Sequence, residues 1–234
     1  GSLKFDYFSP DEKNRLSVFA SAANTDRDSY YGPGNDPLKA YGKTTDLTAM
    51  GGAQYVHTFD KCFFMPSDLT AGLEYNRDRL KDNMWGYNRH TDQTVNIYSA
   101  FLQNEWKNDR WGILIGGRLD KHNMVDNVIF SPRANLRFNP TQNINLRLSY
   151  SSGFRAPQAF DEDMHIENVG GTVAMIERAK DLKEEKSQSF SVSADMYHRF
   201  GAFQTNLLIE GFYTRLTDVF VLGKPYDRGD GILV

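Results

Sequence analysis

The sequence predicts an all-β protein, built as an up-and-down antiparallel sheet. Three observations predict it. Aromatic residues make up 13% of the 234 residues and glycines number 19, yet the mean hydropathy is only −0.57. Apolar and polar residues alternate with period two in many segments, whereas long amphipathic helical patterns are almost missing. Short and long connections alternate between these segments, which predicts hairpins whose long loops share one end of the sheet.

The individual strands are predicted from the alternation. In 143–151, for example, the apolar Ile144, Leu146, Leu148 and Tyr150 alternate with polar residues. About nine segments show the pattern, at 15–20, 47–59, 69–76, 94–106, 111–119, 133–138, 143–151, 189–198 and 203–210. Turn-forming residues predict short connections at 58–61, 107–109, 139–142 and 199–201. The long connections are expected at 26–44, 81–93, 121–131 and 153–186. No internal repeat or low-complexity linker divides the chain, so one domain is expected over residues 1–234.

Each predicted strand has one apolar and one polar face. In a membrane barrel the apolar face meets lipid and aromatic residues near the strand ends form interfacial girdles. In a soluble β-sandwich or β-barrel the apolar faces pack on each other. Strands of about 9–11 residues suffice to cross a bilayer, which favours part of a transmembrane β-barrel with long extracellular loops. The pattern alone leaves the soluble ligand-binding module open.

Composition argues against several other classes of protein. Lys and Arg number 27 against 30 Asp and Glu, a formal charge of −3. Without a basic excess, nucleic-acid binding is not expected. The single cysteine, Cys62, cannot form an internal disulfide or a thiolate metal site. No catalytic motif, metal-ligand spacing or nucleotide-binding loop is found, which predicts a protein that is not an enzyme and has no cofactor and no bound metal.

One series of motifs resembles a known family. The chain reads Gly-Gly-Arg-Leu-Asp at 116–120, Ser-Pro-Arg at 131–133 and Gly-Phe-Arg-Ala-Pro at 153–157. This order is similar to the barrel of TonB-dependent outer-membrane receptors, with features of members from Bacteroides-like bacteria. Leu182, Glu185 and Ser187 match the family's next strand start, whereas the family's proline is missing between them.

The resemblance implies a fold and a function. A complete barrel of such transporters has about 22 strands around a plug domain, so this chain is expected to be a middle part of the barrel that lacks the plug and the C-terminal strands. The family imports scarce nutrients, such as siderophore-bound iron or cobalamin, across the bacterial outer membrane. The implied partners are outer-membrane lipid, the nutrient, and TonB through the missing N-terminal part. An open sheet has unpaired edges, so the isolated piece is expected to self-associate or to cover these edges in another way.

Candidate site residues follow from the pattern of residues and from the resemblance. Exposed aromatic residues beside a cation suit the capture of a rigid nutrient, and five such residues are expected in the long loops, although packing between loops explains them as well: Tyr30, Tyr31, Trp85, Tyr87 and Arg89. Five arginines are expected on the barrel interior, facing the plug: Arg118, Arg133, Arg137, Arg147 and Arg155. The loop residues Asp26, Asp28 and Asp36 offer oxygens to calcium, but ordinary solvated turns are favoured.

Overall fold

The computed structural model describes residues 1–30, 41–85, 89–158, 182–221 and 223–224. Within them the chain forms one antiparallel sheet whose ten strands lie side by side in sequence order. The predicted all-β, up-and-down fold class is therefore confirmed. The strands are β1 (Ser2–Phe8), β2 (Asn14–Tyr30), β3 (Tyr41–Cys62), β4 (Met65–Met84), β5 (Arg89–Lys107), β6 (Trp111–His122), β7 (Ile129–Thr141), β8 (Ile144–Arg155), β9 (Glu185–Phe200) and β10 (Phe203–Thr217).

The strand register collects the alternating side chains on two faces. Residues directly opposite each other in an antiparallel pair lie on the same face. One row of such partners crosses seven strands and is mostly apolar: Leu69, Asn104, Ile115, Ala134, Tyr150, Phe190 and Tyr213. We call this side the apolar face. The opposite side, the polar face, carries rows such as Glu74, Ser99 and Asp120.

The apolar face is not covered by a second layer in the described part of the chain. Leu73, Leu102 and Ile115, in the middle of their strands, are 65%, 56% and 56% exposed. Few apolar residues are buried in the described ranges, and a small cluster of them consists of Val125, Ile129 and Ala156, against which Phe154 packs. A soluble sandwich would bury the apolar face, so this arrangement is the one expected of a barrel wall in lipid.

Aromatic pairs mark the two ends of the apolar face. At the short-turn end Phe64 stacks on Trp106 and Trp111 stacks on Phe138, with ring centroids 5.7 and 4.2 Å apart. On β5, Tyr98 lies eight residues before Trp106 on the same face, which is about 26 Å along the strand. The apolar bands of outer-membrane barrels are about 25 Å tall. The described residues contain no helix with the length and hydrophobicity that crossing a membrane requires.

The sheet has one more strand than expected. β1 at Ser2–Phe8 pairs with β2, although its own alternation of Leu3, Phe5 and Tyr7 with charged residues had not been assigned to a strand. β1 and β10 are the two edges of the sheet, and the described residues do not close it into a barrel.

The predicted short turn at 58–61 is wrong. β3 continues to Cys62 with a register shift after Phe59, and the chain reverses at Phe63, whose φ is 61°. The Trp106 indole Nε1 donates a hydrogen bond to the Cys62 carbonyl at 3.0 Å, and the Phe64 ring stacks on the same indole. Tertiary contacts with this indole favour a turn that the local turn residues do not predict.

The long connections are also shorter than expected, because the strands extend past the apolar band. β2 ends at Tyr30 and β3 begins at Tyr41. In the same way β4 ends at Met84 and β5 begins at Arg89. Beyond the apolar band the strands carry no apolar row, so their alternation fades while the backbone ladder continues. The strand start implied by the resemblance near Glu185 is confirmed by β9.

Candidate functional site

The polar face is the candidate site. Several of its polar side chains are buried and hydrogen-bonded, although no second layer covers this face in the described part of the chain. Ser99, Asp120 and His122 are 5%, 3% and 0% exposed, and all lie toward the loop end of β5 and β6. Their neighbours on the polar face bury them. This burial places charged and hydrogen-bonding groups in a fixed arrangement rather than on freely solvated side chains.

Arg118 is the centre of a charged network on this face. Its Nη1 lies 2.6 Å from Glu74 Oε2 on β4, and its Nε lies 2.8 Å from Asp120 Oδ1 on its own strand. Ser99 Oγ, on β5 between β4 and β6, donates to the same Asp120 oxygen at 2.6 Å. Both charges of the buried carboxylate and its arginine are therefore satisfied by neighbours.

Hydrogen bonds at the loop end of β6 define the protonation of His122. The backbone N–H of Met124 donates to His122 Nδ1 at 3.0 Å, so Nδ1 carries no proton and Nε2 is the protonated nitrogen. His122 Nε2 then donates to Gln158 Oε1, 3.0 Å away. This bond ties the start of the β6–β7 connection to the Gly-Phe-Arg-Ala-Pro segment at the end of β8.

Arg133, Arg137 and Arg147 lie together on β7 and β8. In the register Arg137 is directly opposite Arg147, and Arg133 is opposite Gly116 and Ser151. Arg137 Nη2 donates to the carbonyls of Asn108 and Trp111, at 2.9 and 3.3 Å, and Arg147 Nε donates to Asn145 Oδ1 at 2.7 Å.

Arg155 differs from the other four arginines, because it lies at the loop end of β8 beside another strand's carboxylate. Its Nη1 is 4.0 Å from Glu185 Oε2, and its guanidinium carbon is 5.8 Å from the centroid of the Phe220 ring. The Phe220 N–H donates to the other oxygen of Glu185. This contact holds the segment after β10 against the ends of β8 and β9.

Two open clefts run along the polar face. One, of about 440 Å³, includes Glu74, Gln103, Arg118 and Arg133 in its lining, and the Phe101 ring lies in the same wall. That ring covers Gly72, where an added Cβ would be 2.3 Å from Phe101 Cζ. The other cleft, of about 370 Å³, includes Arg137, Arg147 and several serines. All five predicted interior arginines thus share the polar face by register, and four of them line the clefts: Arg118 and Arg133 the larger one, Arg137 and Arg147 the smaller one.

The predicted nutrient-capturing residues are placed less uniformly. Tyr30 is the last residue of β2, and its ring meets Tyr41 edge-on at 5.2 Å. Trp85, just after β4, is 55% exposed. Arg89 begins β5 opposite Met84. Tyr30 and Arg89 therefore lie at strand ends rather than within loops, while Tyr31 and Tyr87 are outside the described residues.

Two of the three acidic positions considered for calcium, Asp26 and Asp28, are among the described residues. Asp26 lies in β2, where it accepts hydrogen bonds from Asn24 Nδ2 at 3.0 Å and Thr45 Oγ1 at 3.2 Å. Asp28 is two residues further along the same strand, and Asp36 is outside the described residues. Across the described ranges, no group of three or more His, Cys, Asp or Glu side chains is arranged to hold a metal.

Sequence reasoning missed three hydrogen-bonding residues of this face: Ser99, which joins the network around Arg118, and the separate pair His122 and Gln158. Ser99, His122 and Gln158 carry no local motif, and each acquires its partner from another strand or segment. Asp120 was visible as the last residue of the Gly-Gly-Arg-Leu-Asp segment, and its two-residue spacing from Arg118 places both on one strand face. That spacing is the signal from which the rest of the network could have been sought.

Comparisons with known proteins agree with this architecture. The family described as "TonB dependent receptor-like, beta-barrel" matches residues 2–231. A Haemophilus influenzae protein named "Probable hemoglobin and hemoglobin-haptoglobin-binding protein 3" is 24% identical over 182 residues, which cover 76% of this chain and 16% of that protein. The chain thus spans less than a fifth of this relative's length.

Solved structures share the fold at low sequence identity. The siderophore receptor PirA from Acinetobacter baumannii is 16% identical with a TM-score of 0.60, and the match covers 98% of this chain and 42% of that one. The ferric enterobactin receptor PfeA from Pseudomonas aeruginosa is 17% identical with a TM-score of 0.64, covering 92% and 34%. The copper transporter OprC is 14% identical with a TM-score of 0.60, covering 93% and 38%. The family match over nearly the whole chain shows that this chain belongs to the TonB-dependent receptors, as part of their β-barrel domain.

Proposed function

We propose that the chain forms part of the wall of an outer-membrane receptor that imports a scarce nutrient in an energised, TonB-dependent step. The observation that carries the proposal is the two-faced sheet: a single layer places exposed leucine, isoleucine and aromatic side chains on one face and charged networks on the other. Lipid on the apolar side and water or a plug on the polar side satisfy both faces.

The proposed roles of the residues follow from this placement. The polar-face arginines Arg118, Arg133, Arg137, Arg147 and Arg155 line the barrel interior and face the plug. Tyr30, Trp85 and Arg89 lie at or near the loop end, where the nutrient arrives. Tyr31 and Tyr87, which are outside the described residues, are proposed to contribute to the same capture of the nutrient. No step in this function breaks a covalent bond of the nutrient, so the wall acts by binding and by holding the plug rather than by catalysis.

An iron chelate is the nutrient we propose. The similar solved proteins include receptors for siderophores and ferric enterobactin, and the curated relative is named for hemoglobin binding. Rigid aromatic surfaces beside a cation suit such bulky, often anionic chelates. Copper and cobalamin are the competing nutrients. Because a copper transporter is among the similar structures, the uptake of copper has to be measured as well.

The membrane location is tested by labelling along β5. In a Cys62→Ser background, which removes the single cysteine, Leu102 and Gln103 are each replaced by Cys. These neighbours lie on opposite faces, with Leu102 on the apolar one. In outer membranes of cells that express the receptor, a lipid-soluble maleimide should label Leu102→Cys, and a membrane-impermeant maleimide should label Gln103→Cys from the aqueous interior.

The transport function is tested on the receptor that contains this chain. A strain without it should lose uptake of one iron-loaded siderophore or haem, with the same loss when TonB is removed, and should regain uptake when the gene is restored. Uptake of copper or cobalamin instead would change the cargo but keep the receptor. A soluble cell fraction containing the protein, with both cysteine variants labelled by the impermeant reagent, would favour the soluble ligand-binding module.

A further inference from the structure

We propose that the polar face of β7 and β8 binds an acidic polypeptide segment that lies inside the barrel. The inference rests on the proposed function, because it takes the polar face to be the interior of the wall. It goes further by naming which part of that interior carries uncompensated positive charge and what chemistry an occupant must present to it.

The charge on the polar face is divided between strands. The inward positions of β4 carry four carboxylates and no cation: Asp68, Glu74, Asp78 and Asp82. The inward positions of β7 and β8 carry four arginines and no carboxylate: Arg133, Arg137, Arg147 and Arg155. By charge complementarity, an occupant of this face should present positive groups to β4 and negative groups to β7 and β8.

Two of these strands' arginines face each other without an anion between them. Arg137 and Arg147 are directly opposite in the register, a placement in which like charges repel. The hydrogen bonds that they make go to neutral oxygens, namely the backbone carbonyls of Asn108 and Trp111 and the amide of Asn145. Neutral acceptors orient the guanidinium groups but leave their charge uncompensated.

Arg133 has still fewer interactions than Arg137 and Arg147. Within the described residues it makes neither a hydrogen bond nor an ion pair, and it lines the larger cleft beside Ser131 and Ser151. Arg118, one strand away, is by contrast held by two carboxylates, and Arg155 lies beside Glu185. Of the five arginines predicted for the interior, Arg133, Arg137 and Arg147 are therefore the ones without an acidic partner among the described residues.

Nearby acids do not neutralise this group. Glu105 and Glu210 line the smaller cleft together with Arg137 and Arg147, but none of the ion pairs among the described residues joins either glutamate to an arginine. A guanidinium that keeps free N–H groups in a cleft is suited to bidentate binding of a carboxylate.

The shape of the surface favours a polypeptide over a compact ion. Arg133 and Arg137 are four residues apart on β7, about 13 Å along the strand. Beside them β9 presents a column of inward serines, Ser187, Ser189, Ser191 and Ser193, whose hydroxyl groups can bond backbone or side-chain atoms along the same length. A single carboxylate reaches one arginine, whereas an extended segment with several reaches all three.

The proposal is tested by peptide binding to the chain in detergent micelles. The probe is a fluorescent poly-glutamate peptide of about six residues, roughly 20 Å when extended, and the reference is poly-glutamine of equal length. We expect poly-glutamate to bind at least tenfold more tightly than poly-glutamine at low salt. The difference should vanish at about 1 M salt, where the Debye length is about 3 Å.

Matched variants locate the binding surface. The triple variant Arg133→Gln, Arg137→Gln, Arg147→Gln should lose about tenfold or more of the affinity for poly-glutamate. The control triple Arg77→Gln, Arg79→Gln, Arg215→Gln removes the same charge from exposed residues on the opposite face and should bind as the original chain does. Circular dichroism of both triples checks that the sheet is retained, and Arg133→Lys should recover part of the binding.

Equal binding of the two peptides by the original chain would overturn the proposal, and this comparison involves no variant. Equal loss of binding in two triple variants that both retain the sheet by circular dichroism would overturn it as well. Failure of the inference is distinguishable from failure of the proposed function. If β5 is labelled as expected for a membrane wall but poly-glutamate does not bind, the proposed function stands and the proposal of an acidic occupant is wrong.

Discussion

The Arg118 guanidinium reaches across β5 to the Glu74 carboxylate, with Nη1 2.6 Å from Oε2. The two residues are 44 apart in the chain, and the hairpin registers of β4, β5 and β6 bring them to the same height on the polar face. Asp120, whose side chain is 4% exposed, accepts from the same guanidinium. The ion pair therefore couples three strands through one side chain.

Replacing Arg118 by Gln should lower the free energy of unfolding by about 1–3 kcal/mol, because buried Asp120 loses its charged partner. The lower part of this range is expected, since the Arg118 side chain is 34% exposed and partly screened. Denaturant unfolding in lipid vesicles, followed by tryptophan fluorescence, measures the change. Arg199→Gln, which changes an exposed arginine at the short-turn end of β9 that donates to the Gly201 carbonyl, is the control and should stay within about 0.5 kcal/mol of the original chain. An equal effect of both variants would contradict a specific role of the network.

An added positive charge should cost much more stability on the apolar face of β5 than on its polar face. Leu102 lies midway between Tyr98 and Trp106 on the apolar face and is 56% exposed. Leu102→Arg should cost about 2–4 kcal/mol in a bilayer, the value for an arginine near the midplane. Gln103→Arg, one residue further and beside the cleft, should cost less than about 1 kcal/mol. Unfolding in vesicles compares them, and equal costs would show that the two faces meet the same medium.

Asn104 is the polar exception in an apolar row. Its register partners are Leu69 and Ile115, and neither its side-chain oxygen nor its nitrogen has a hydrogen-bond partner in the described part of the chain. Asn104→Leu should therefore raise the free energy of unfolding in vesicles by about 1–2 kcal/mol, because an unsatisfied buried amide is removed.

Asn96 on the same strand supplies the matched control for this change. Its Oδ1 accepts a hydrogen bond from the Tyr75 hydroxyl at 2.8 Å, so Asn96→Leu should destabilise the sheet by about 1 kcal/mol. A loss of stability on both replacements would mean that Asn104 has a partner in the assembled barrel.

The turn between β1 and β2 should depend on pH through Asp11. A hydrogen bond from the Ser9 hydroxyl, then one from the Lys13 backbone N–H at 3.1 Å, lower the pKa of Asp11 below its ordinary value of about 3.9. A depressed carboxyl pKa stabilises the turn above the ordinary pKa, and this stabilisation is lost as the pH falls through the lowered value. Carboxyl ¹³C NMR titration in micelles should show the lowered pKa and its rise in Ser9→Ala. Ser17→Ala, which removes a donor to Asp6 instead, should leave the Asp11 titration unchanged.

Local pattern predicted most of the wall and failed where distant contacts override it. Alternation placed Arg118, Arg133, Arg137 and Arg147 on one face, because a strand turns successive side chains to opposite sides whatever surrounds it. The turn at Phe63 was missed, since the Trp106 indole that binds Cys62 and stacks on Phe64 lies 43 residues beyond that turn. β1 was missed although Leu3, Phe5 and Tyr7 alternate as well as many assigned segments do.

The amino-acid order by itself determined the class of the protein: strands with one apolar and one polar face, too hydrophilic for membrane helices, and motifs similar to a receptor barrel. Only the tertiary structure decided which polar groups satisfy each other. Within the described residues Arg118 has an acidic partner and Arg133 has none, although both are polar-face arginines on neighbouring strands, because cross-strand partners are set by register and not by residue type. Register depends on where each hairpin turns, and that position results from contacts between distant parts of the chain.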